Sequence, residues 1–205
     1  MSFFEPPPPP PEPPEEHRQP EWIGPPENEL GVALPVRRML FRTDDLAIAL
    51  LGIVVFGNGL ELQVVLRRRA MTVEPDPMHT HMHARRIRGS ELTPEVFRFG
   101  IEYPDGTKVT NVGFVFPFDG GEPAGPVLME RGGGGGGRSW SFNYWLWPLP
   151  PPGPLRVVVE WPAENVPLTD AELDGSAIAE AASRVEVLWP DDDRPGSDGA
   201  WARAR

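Results

Sequence analysis

The chain has 205 residues, a length that suits one domain with tails. It contains no cysteine, which excludes disulfides and thiol chemistry, and its net charge of -11 argues against a general nucleic-acid binder. The longest apolar run, Leu46 to Phe56, spans 11 residues, well short of the ~20 that a membrane helix needs. The N-terminus lacks the basic-then-apolar order of a signal peptide, so we expect a cytoplasmic protein without membrane contact.

Charge is distributed unevenly along the chain. Residues 1–36 carry seven acids and one arginine (net -6), and residues 160–193 carry ten acids and one arginine (net -9). Residues 37–88 carry nine arginines and five acids (net +4). The basic middle could therefore attract an acidic partner, or one of the chain's own ends.

Both ends of the chain have the composition of disordered tails. Residues 1–29 are proline-rich and acidic, and the run Pro6 to Pro11 favours the polyproline form, either as a solvated spacer or as a docking peptide. Trp22 is expected to be the first anchor on the domain. Residues 190–205 form a second acidic tail, which leaves residues 30–189 as a single domain.

Alternation of apolar and polar residues predicts several strands between these tails. Leu46 to Phe56 is apolar on both faces and is predicted to be a central buried strand. The other segments alternate and are predicted to be half-buried strands or strand pairs: Gly31 to Thr43, Leu60 to Arg69, Phe97 to Tyr103 and Lys108 to Phe118.

Three alternating histidines, His79, His81 and His83, raise the hypothesis of a metal site. In an extended strand His79 and His83 would lie ~13 Å apart, because each residue rises 3.2–3.4 Å. One ion with bonds of ~2.0–2.1 Å could then bind His79 with His81, or His81 with His83, but not all three unless the loop curls. The alternative is a flexible polar loop that gains charge below the ~6.5 typical of histidine.

An aromatic hairpin dominates the second half of the chain. In Ser139 to Trp147 one face carries Trp140, Phe142 and Tyr144, and from Trp145 onward the second face is apolar as well. A strand covered on both faces is predicted to lie inside a sandwich. A proline-rich loop separates it from a second strand, Leu155 to Trp161.

Six glycines, Gly132 to Gly137, precede this hairpin after a short strand, Val127 to Met129. A phosphate-binding loop would need a following helix and a lysine, and here Arg138, Ser139 and an aromatic strand follow. We interpret the run as a flexible connector between two strands; the alternative is a flap that closes over a ligand beside the aromatic surface.

One helix is predicted near the C-terminus. Thr169 to Glu172 matches a capping box, and the apolar stripe that follows consists of Leu173, Ala177, Ile178 and Ala181. A short strand, Val185 to Trp189, is predicted after it. The expected fold is therefore an antiparallel β-sandwich of about eight strands, immunoglobulin-like or a distorted barrel, with one C-terminal helix.

The chain resembles a family of uncharacterised proteins from GC-rich actinobacteria. The residues that carry the resemblance are Gly24 to Asn28 with Leu30-Gly31, then Tyr103 to Asn111, the glycine run, and Trp145 to Pro162 with its WPLPPPGPL loop. Arginine outnumbers lysine 18 to 1, as a GC-rich genome would produce. The resemblance implies one coherent domain and supplies no catalytic residues.

Three functions remain open from the sequence. The first is a non-catalytic protein-interaction module or accessory subunit with an unknown protein partner and no cofactor. The second is a small-ligand or glycan binder that uses Arg138 and the rings of Trp140, Tyr144, Trp145 and Trp147. The third is a metal-assisted enzyme at His79 to His83, which the absence of a nucleophile motif and of a paired-carboxylate signature disfavours.

Overall fold

The computed structural model describes residues 19–71, 80–81, 92–112 and 122–190. The strands in these ranges are β1 (Glu29–Leu30), β2 (Val32–Leu34), β3 (Arg38–Arg42), β4 (Leu46–Val55), β5 (Leu60–Arg68), β6 (Arg98–Glu102), β7 (Lys108–Thr110), β8 (Val127–Gly136), β9 (Ser139–Trp147), β10 (Pro154–Trp161), β11 (Val166–Asp174) and β12 (Glu186–Val187). The helix α1 spans Gly175–Ala182, and a 3-10 turn spans Pro162–Glu164.

The larger sheet has the strand order β2-β4-β5-β9-β8, and β3 pairs with β4 beside β2. All neighbouring strands in it are antiparallel. The register between β4 and β5 shifts between Leu50 and Gly52, so Leu51 forms a bulge. Two short strands therefore share one side of β4, with β3 on its first half and β2 on its last three residues.

The smaller sheet has the order β11-β10-β6-β7 and is also antiparallel. Along β10, Leu155, Val157, Val159 and Trp161 are buried, whereas Arg156, Val158 and Glu160 point to the other face. This alternation gives the sheet one core-facing side and one outer side.

The two sheets pack face to face, and their inner side chains form one core. Tyr144 of β9 stacks on Phe99 of β6, with ring centroids 4.6 Å apart, so the aromatic contact joins the sheets directly. The sequence prediction of a mainly β sandwich with a helix near the C-terminus is confirmed for the described residues. The sheets stay open at their edges, and the described strands close no barrel.

The start of the helix was predicted wrongly. Residues Thr169 to Asp174 belong to β11, which pairs with β10 from Leu155↔Leu173 to Val159↔Thr169. The helix begins at Gly175, and Asp174 is its cap, accepting the N–H of Ser176 at 2.9 Å. The pairing of this nine-residue strand with β10 outweighs the local capping signal, because local propensity is weak compared with tertiary pairing.

The N-terminal segment packs on the fold before the predicted domain boundary at residue 30. Trp22 is buried, as the sequence predicted for the first anchor. Glu29 and Leu30 form a two-stranded ribbon with β12, and the Glu29 carboxylate accepts the N–H of Gly57 at 2.7 Å. Residues 1–18 and 191–205, predicted to be disordered, lie outside the described residues. Within the described part, no helix is long and apolar enough to cross a membrane.

Candidate functional site

The aromatic strand β9 does not form the ligand platform that was hypothesised. Tyr144 faces the core and Trp145 faces the opposite side, yet both rings are fully buried. Trp145 contacts Phe56 edge-to-face at 5.9 Å, and its indole N–H donates to the carbonyl of Glu21 at 3.2 Å. Rings covered by protein on all sides cannot stack on a ligand, so these two residues hold the fold together.

The other three residues of that hypothesis lie at the two ends of β9. Trp140 packs against the core and is partly buried, and Trp147 is partly buried on the outer face. Arg138 is exposed in the turn before β9, with Nη1 3.5 Å from the carbonyl of Arg69. The five residues therefore do not converge on one surface.

The glycine run is not a connector. Gly132 to Gly136 continue β8 as an exposed strand that pairs with Ser139 to Asn143 of β9. Only Gly137 and Arg138 form the turn. A Cβ on Gly133 would lie 2.4 Å from the carbonyl oxygen of Ser141, so this strand approaches β9 more closely than a side chain allows.

His81 lies inside the fold. Its ring is fully buried, and Nδ1 accepts a hydrogen bond of 3.0 Å from the backbone N–H of Phe97. It meets the rings of Phe97, Phe142 and Trp161 edge-on, with centroids 6.0 to 6.3 Å away. His79 and His83 lie outside the described residues. Among the residues that are described, no group of three or more histidines or carboxylates could hold a metal.

The described residues form a groove on the outer side of the smaller sheet. It has a volume of about 290 Å³, and its floor is Gly100 of β6 opposite Val158 of β10. Leu92 and Leu168 border it and are 58% and 63% exposed. Gly100 has no side chain, and a Cβ there would lie 3.3 Å from Cγ2 of Thr110, its partner on β7.

Two rows of charged residues run across the strands on either side of this floor. In one row Arg98 forms an ion pair with Glu160, its partner across the β6–β10 ladder. In the other row Arg156 donates to Glu102 at 3.0 Å and to Asp170 at 2.9 Å. Opposite charges directly across a ladder stabilise the pairing and fix the side chains beside the groove.

Arg156 is the centre of the second row. The hydrogen bonds that its guanidinium donates to Asp170 and Glu102 raise the pKa of Arg156 above the ordinary value, so it stays charged. The hydrogen bond with Arg156 in turn lowers the pKa of Asp170 below its usual range. Lys108 stands 3.9 Å from Glu102 in the same row and is largely exposed.

Most charges in the two rows are paired, and the floor between the rows is mainly apolar. Arg98 pairs with Glu160, and the positive Arg156 and Lys108 stand against Glu102 and Asp170. Glu172, opposite Arg156 in the β10–β11 ladder, adds one exposed carboxylate. A strongly charged ligand gains little from such a balanced rim. An apolar group can displace water from the floor and contact the methylene stems of the paired arginines.

The sequence contained only a partial signal for this groove. Arg98, Gly100 and Glu102 alternate outward on one segment, and Arg156, Val158 and Glu160 on another. The register that places Gly100 opposite Val158 is a pairing between residues 58 positions apart. Nothing local specifies that pairing, so sequence reasoning missed the site.

Comparison with known proteins gives no relative: no family model, no curated protein and no solved structure matches the chain.

Proposed function

We propose that this protein is a non-catalytic protein-interaction module that takes an apolar side chain of a partner into the groove over Gly100. The observation that supports it best is a mainly apolar floor between two rows of paired charges, with exposed leucines at its margins. Interfaces draw most of their affinity from a few apolar anchors seated in pockets with a polar rim.

The size of the groove favours a side chain over a larger ligand. Pockets for drug-sized molecules measure roughly 300–1,000 Å³ and enclose most of the ligand. At about 290 Å³ the groove lies at the lower end of that range. It therefore suits a single aliphatic or aromatic side chain delivered by an extended segment.

The test uses a displayed library of random seven-residue peptides, selected on immobilised wild-type protein. Selected peptides are then measured against Leu168→Asp and Leu92→Asp, which place a charge at the margins of the groove. The matched control is Leu51→Asp, an exposed leucine on the larger sheet. All three positions are exposed, so the fold should tolerate each change.

We expect the wild type to select peptides that share an aliphatic or aromatic anchor. Leu168→Asp and Leu92→Asp should each weaken binding by about tenfold, equal to 1.4 kcal/mol, and the control should not change it. The proposal fails if no common anchor is selected, or if the control weakens binding as much as the groove variants.

A further inference from the structure

The glycine half of β8 is an exposed edge of the larger sheet. Gly132 to Gly136 use one side of their backbone for the ladder with β9. On the other side no strand pairs with them among the described residues, and all five are exposed. Their N–H and C=O groups on that side form a ready template for another strand.

Between Arg131 and Arg138 this edge carries no side chain of the kind that normally prevents strand addition. Edge strands in soluble proteins are usually protected by lysine, proline or a bulky charged side chain. Here no side chain interrupts the stretch from Arg131 to Arg138. Cβ positions at Gly132, Gly134 and Gly136 face open space, so steric conflict does not explain why these three lack side chains.

Arginines surround the hairpin end of this edge. Arg131 and Arg138 bracket the glycines, and both are exposed. The carbonyl of Arg138 accepts the N–H of Arg68, and Arg67 lies opposite Ser139 in the β5–β9 ladder. These contacts bring the exposed side chains of Arg67 and Arg69 close to the turn. The Arg131 guanidinium donates to the carbonyl of Ile23 at the other end of the glycines, so the basic edge is defined by Arg67, Arg69 and Arg138.

The acids in this region lie elsewhere or are already paired. Glu164 forms an ion pair of 2.7 Å with Arg68. The carbonyl of Asp45 accepts the N–H of Arg69, which places that acid near the turn before β4, on the side of β5 away from β8. Glu130, the acid of β8 itself, precedes the glycines, so the described charged residues at the hairpin end next to β8 are arginines.

We propose that the basic edge binds an extended acidic segment of a partner protein, which adds to β8 as a further strand. The backbone of Gly132 to Gly136 would supply the ladder hydrogen bonds, and the absence of side chains would allow close approach. The arginines would select acidic side chains on the incoming strand by charge. This surface belongs to the larger sheet and does not depend on the groove over Gly100.

The probe is the peptide acetyl-Glu-Val-Glu-Val-Glu-Val-amide, compared with versions in which Gln or Lys replaces every Glu. Binding is measured by calorimetry at low and at physiological salt. Strand addition is measured separately, as slowed amide hydrogen exchange in Gly132 to Gly136. We expect the acidic peptide to bind at least about tenfold more tightly than the Lys peptide, by an amount that shrinks as salt rises.

Two sets of variants locate the site. The triple change Arg67→Gln, Arg69→Gln, Arg138→Gln should weaken binding by at least about tenfold. Its control is Arg37→Gln, Arg38→Gln, Arg42→Gln, three exposed arginines in and next to β3 with the same change of net charge. Gly134→Glu should weaken binding compared with the neutral Gly134→Gln, since a Cβ there meets open space in either case.

Three outcomes would overturn the proposal. One is equal binding of the acidic and Lys peptides, and another is binding that leaves glycine amide exchange unchanged. The third is a dimer that forms through β8 and that the acidic peptide fails to dissociate. Light scattering would detect this dimer, and the Gly134→Glu variant would lack it. The groove variant Leu168→Asp should bind the acidic peptide normally, so failure of one site is distinguishable from failure of the other.

Discussion

The backbone N–H of Phe97 donates a hydrogen bond of 3.0 Å to Nδ1 of His81. This bond occupies the lone pair of one ring nitrogen, and the ring itself is fully buried. A metal at His81 would therefore have to bind through Nε2, within the aromatic surroundings of Phe142 and Trp161. The metal hypothesis for His79, His81 and His83 stays a prediction, but His81 already has a structural role.

Replacing His81 by alanine tests that role. The change removes a buried ring and leaves the Phe97 N–H without its acceptor, so we expect the free energy of unfolding to fall by about 2–4 kcal/mol. Chemical denaturation measures it. Leu92→Ala, at an exposed position, should stay within about 0.5 kcal/mol of the wild type. Equal stability of His81→Ala and wild type would show that the ring is not part of the core.

Local patterns predicted the strands whose burial alternates. β5 and β9 were predicted to within one residue, because period-two alternation directly records which side chains face the core. The buried β4 was also predicted, since an apolar run bounded by turn residues suits a central strand. The three neighbouring strands β4, β5 and β9 of the larger sheet could therefore be predicted from the sequence.

Elements that depend on pairing with a distant part of the chain could not be predicted from the sequence. The glycine run has low strand propensity, yet β9 provides a partner strand for Gly132 to Gly136. Thr169 to Glu172 fits a capping box, but β10 holds it in a ladder. The groove over Gly100 exists only because β6 pairs with β10 in one register. In each case the deciding contact comes from another part of the chain.

The glycines of β8 should differ sharply in their tolerance to alanine. At Gly134 a Cβ meets open space, so alanine should raise stability by about 0.5–1 kcal/mol through a smaller loss of chain entropy. At Gly133 the Cβ would lie 2.4 Å from the Ser141 carbonyl, and at Gly135 it would lie 2.1 Å from the Ser139 carbonyl at φ +152°. Alanine there should cost about 1–3 kcal/mol.

Thermal unfolding of the three single variants measures this contrast. Each changes the same residue type within one strand, so the variants control for one another. If the glycines formed a flexible connector, alanine would change the thermal stability by a similar amount at all three positions. Equal stabilities of Gly133→Ala, Gly134→Ala and Gly135→Ala would therefore contradict the ladder between β8 and β9.

The ion pair between Arg156 and Asp170 should be visible in a pH titration. The hydrogen bond from Arg156 lowers the pKa of Asp170 in the folded protein. The pair therefore stabilises the fold above the unfolded-state pKa, and that stabilisation is lost as pH falls through the folded-state pKa. In Arg156→Gln we expect the pKa of Asp170 to rise toward its ordinary value, measured by NMR of the side-chain carboxyl carbon.

Asp105 provides an internal control for that titration. The backbone N–H of Thr107 donates to its carboxylate at 2.8 Å and lowers its pKa without any arginine. Arg156→Gln should therefore leave the pKa of Asp105 unchanged. A parallel shift of both aspartates would indicate a general change in the protein instead of loss of one ion pair.

The N-terminal segment should protect the indole of Trp145. Its Nε1–H donates to the carbonyl of Glu21, and Arg131 donates to the carbonyl of Ile23 at 3.1 Å, which fastens the segment over the outer side of β9. Deleting residues 1–24 removes both acceptors along with the buried Trp22. We expect the Trp145 indole proton to exchange with solvent much faster in the shortened chain, as measured by NMR.

Trp161 makes the matched comparison within the same molecule. Its indole N–H donates to the carbonyl of Glu95 at 2.9 Å, at a site that the deletion does not touch. Faster exchange at Trp145 alone would show that residues 19–24 act as a local cover. Faster exchange at both indoles would mean that the deletion loosens the whole core, and unchanged exchange at both would contradict the contact. Because Trp145 anchors the outer face of β9, the first result would also explain why both faces of this strand are apolar at its C-terminal end.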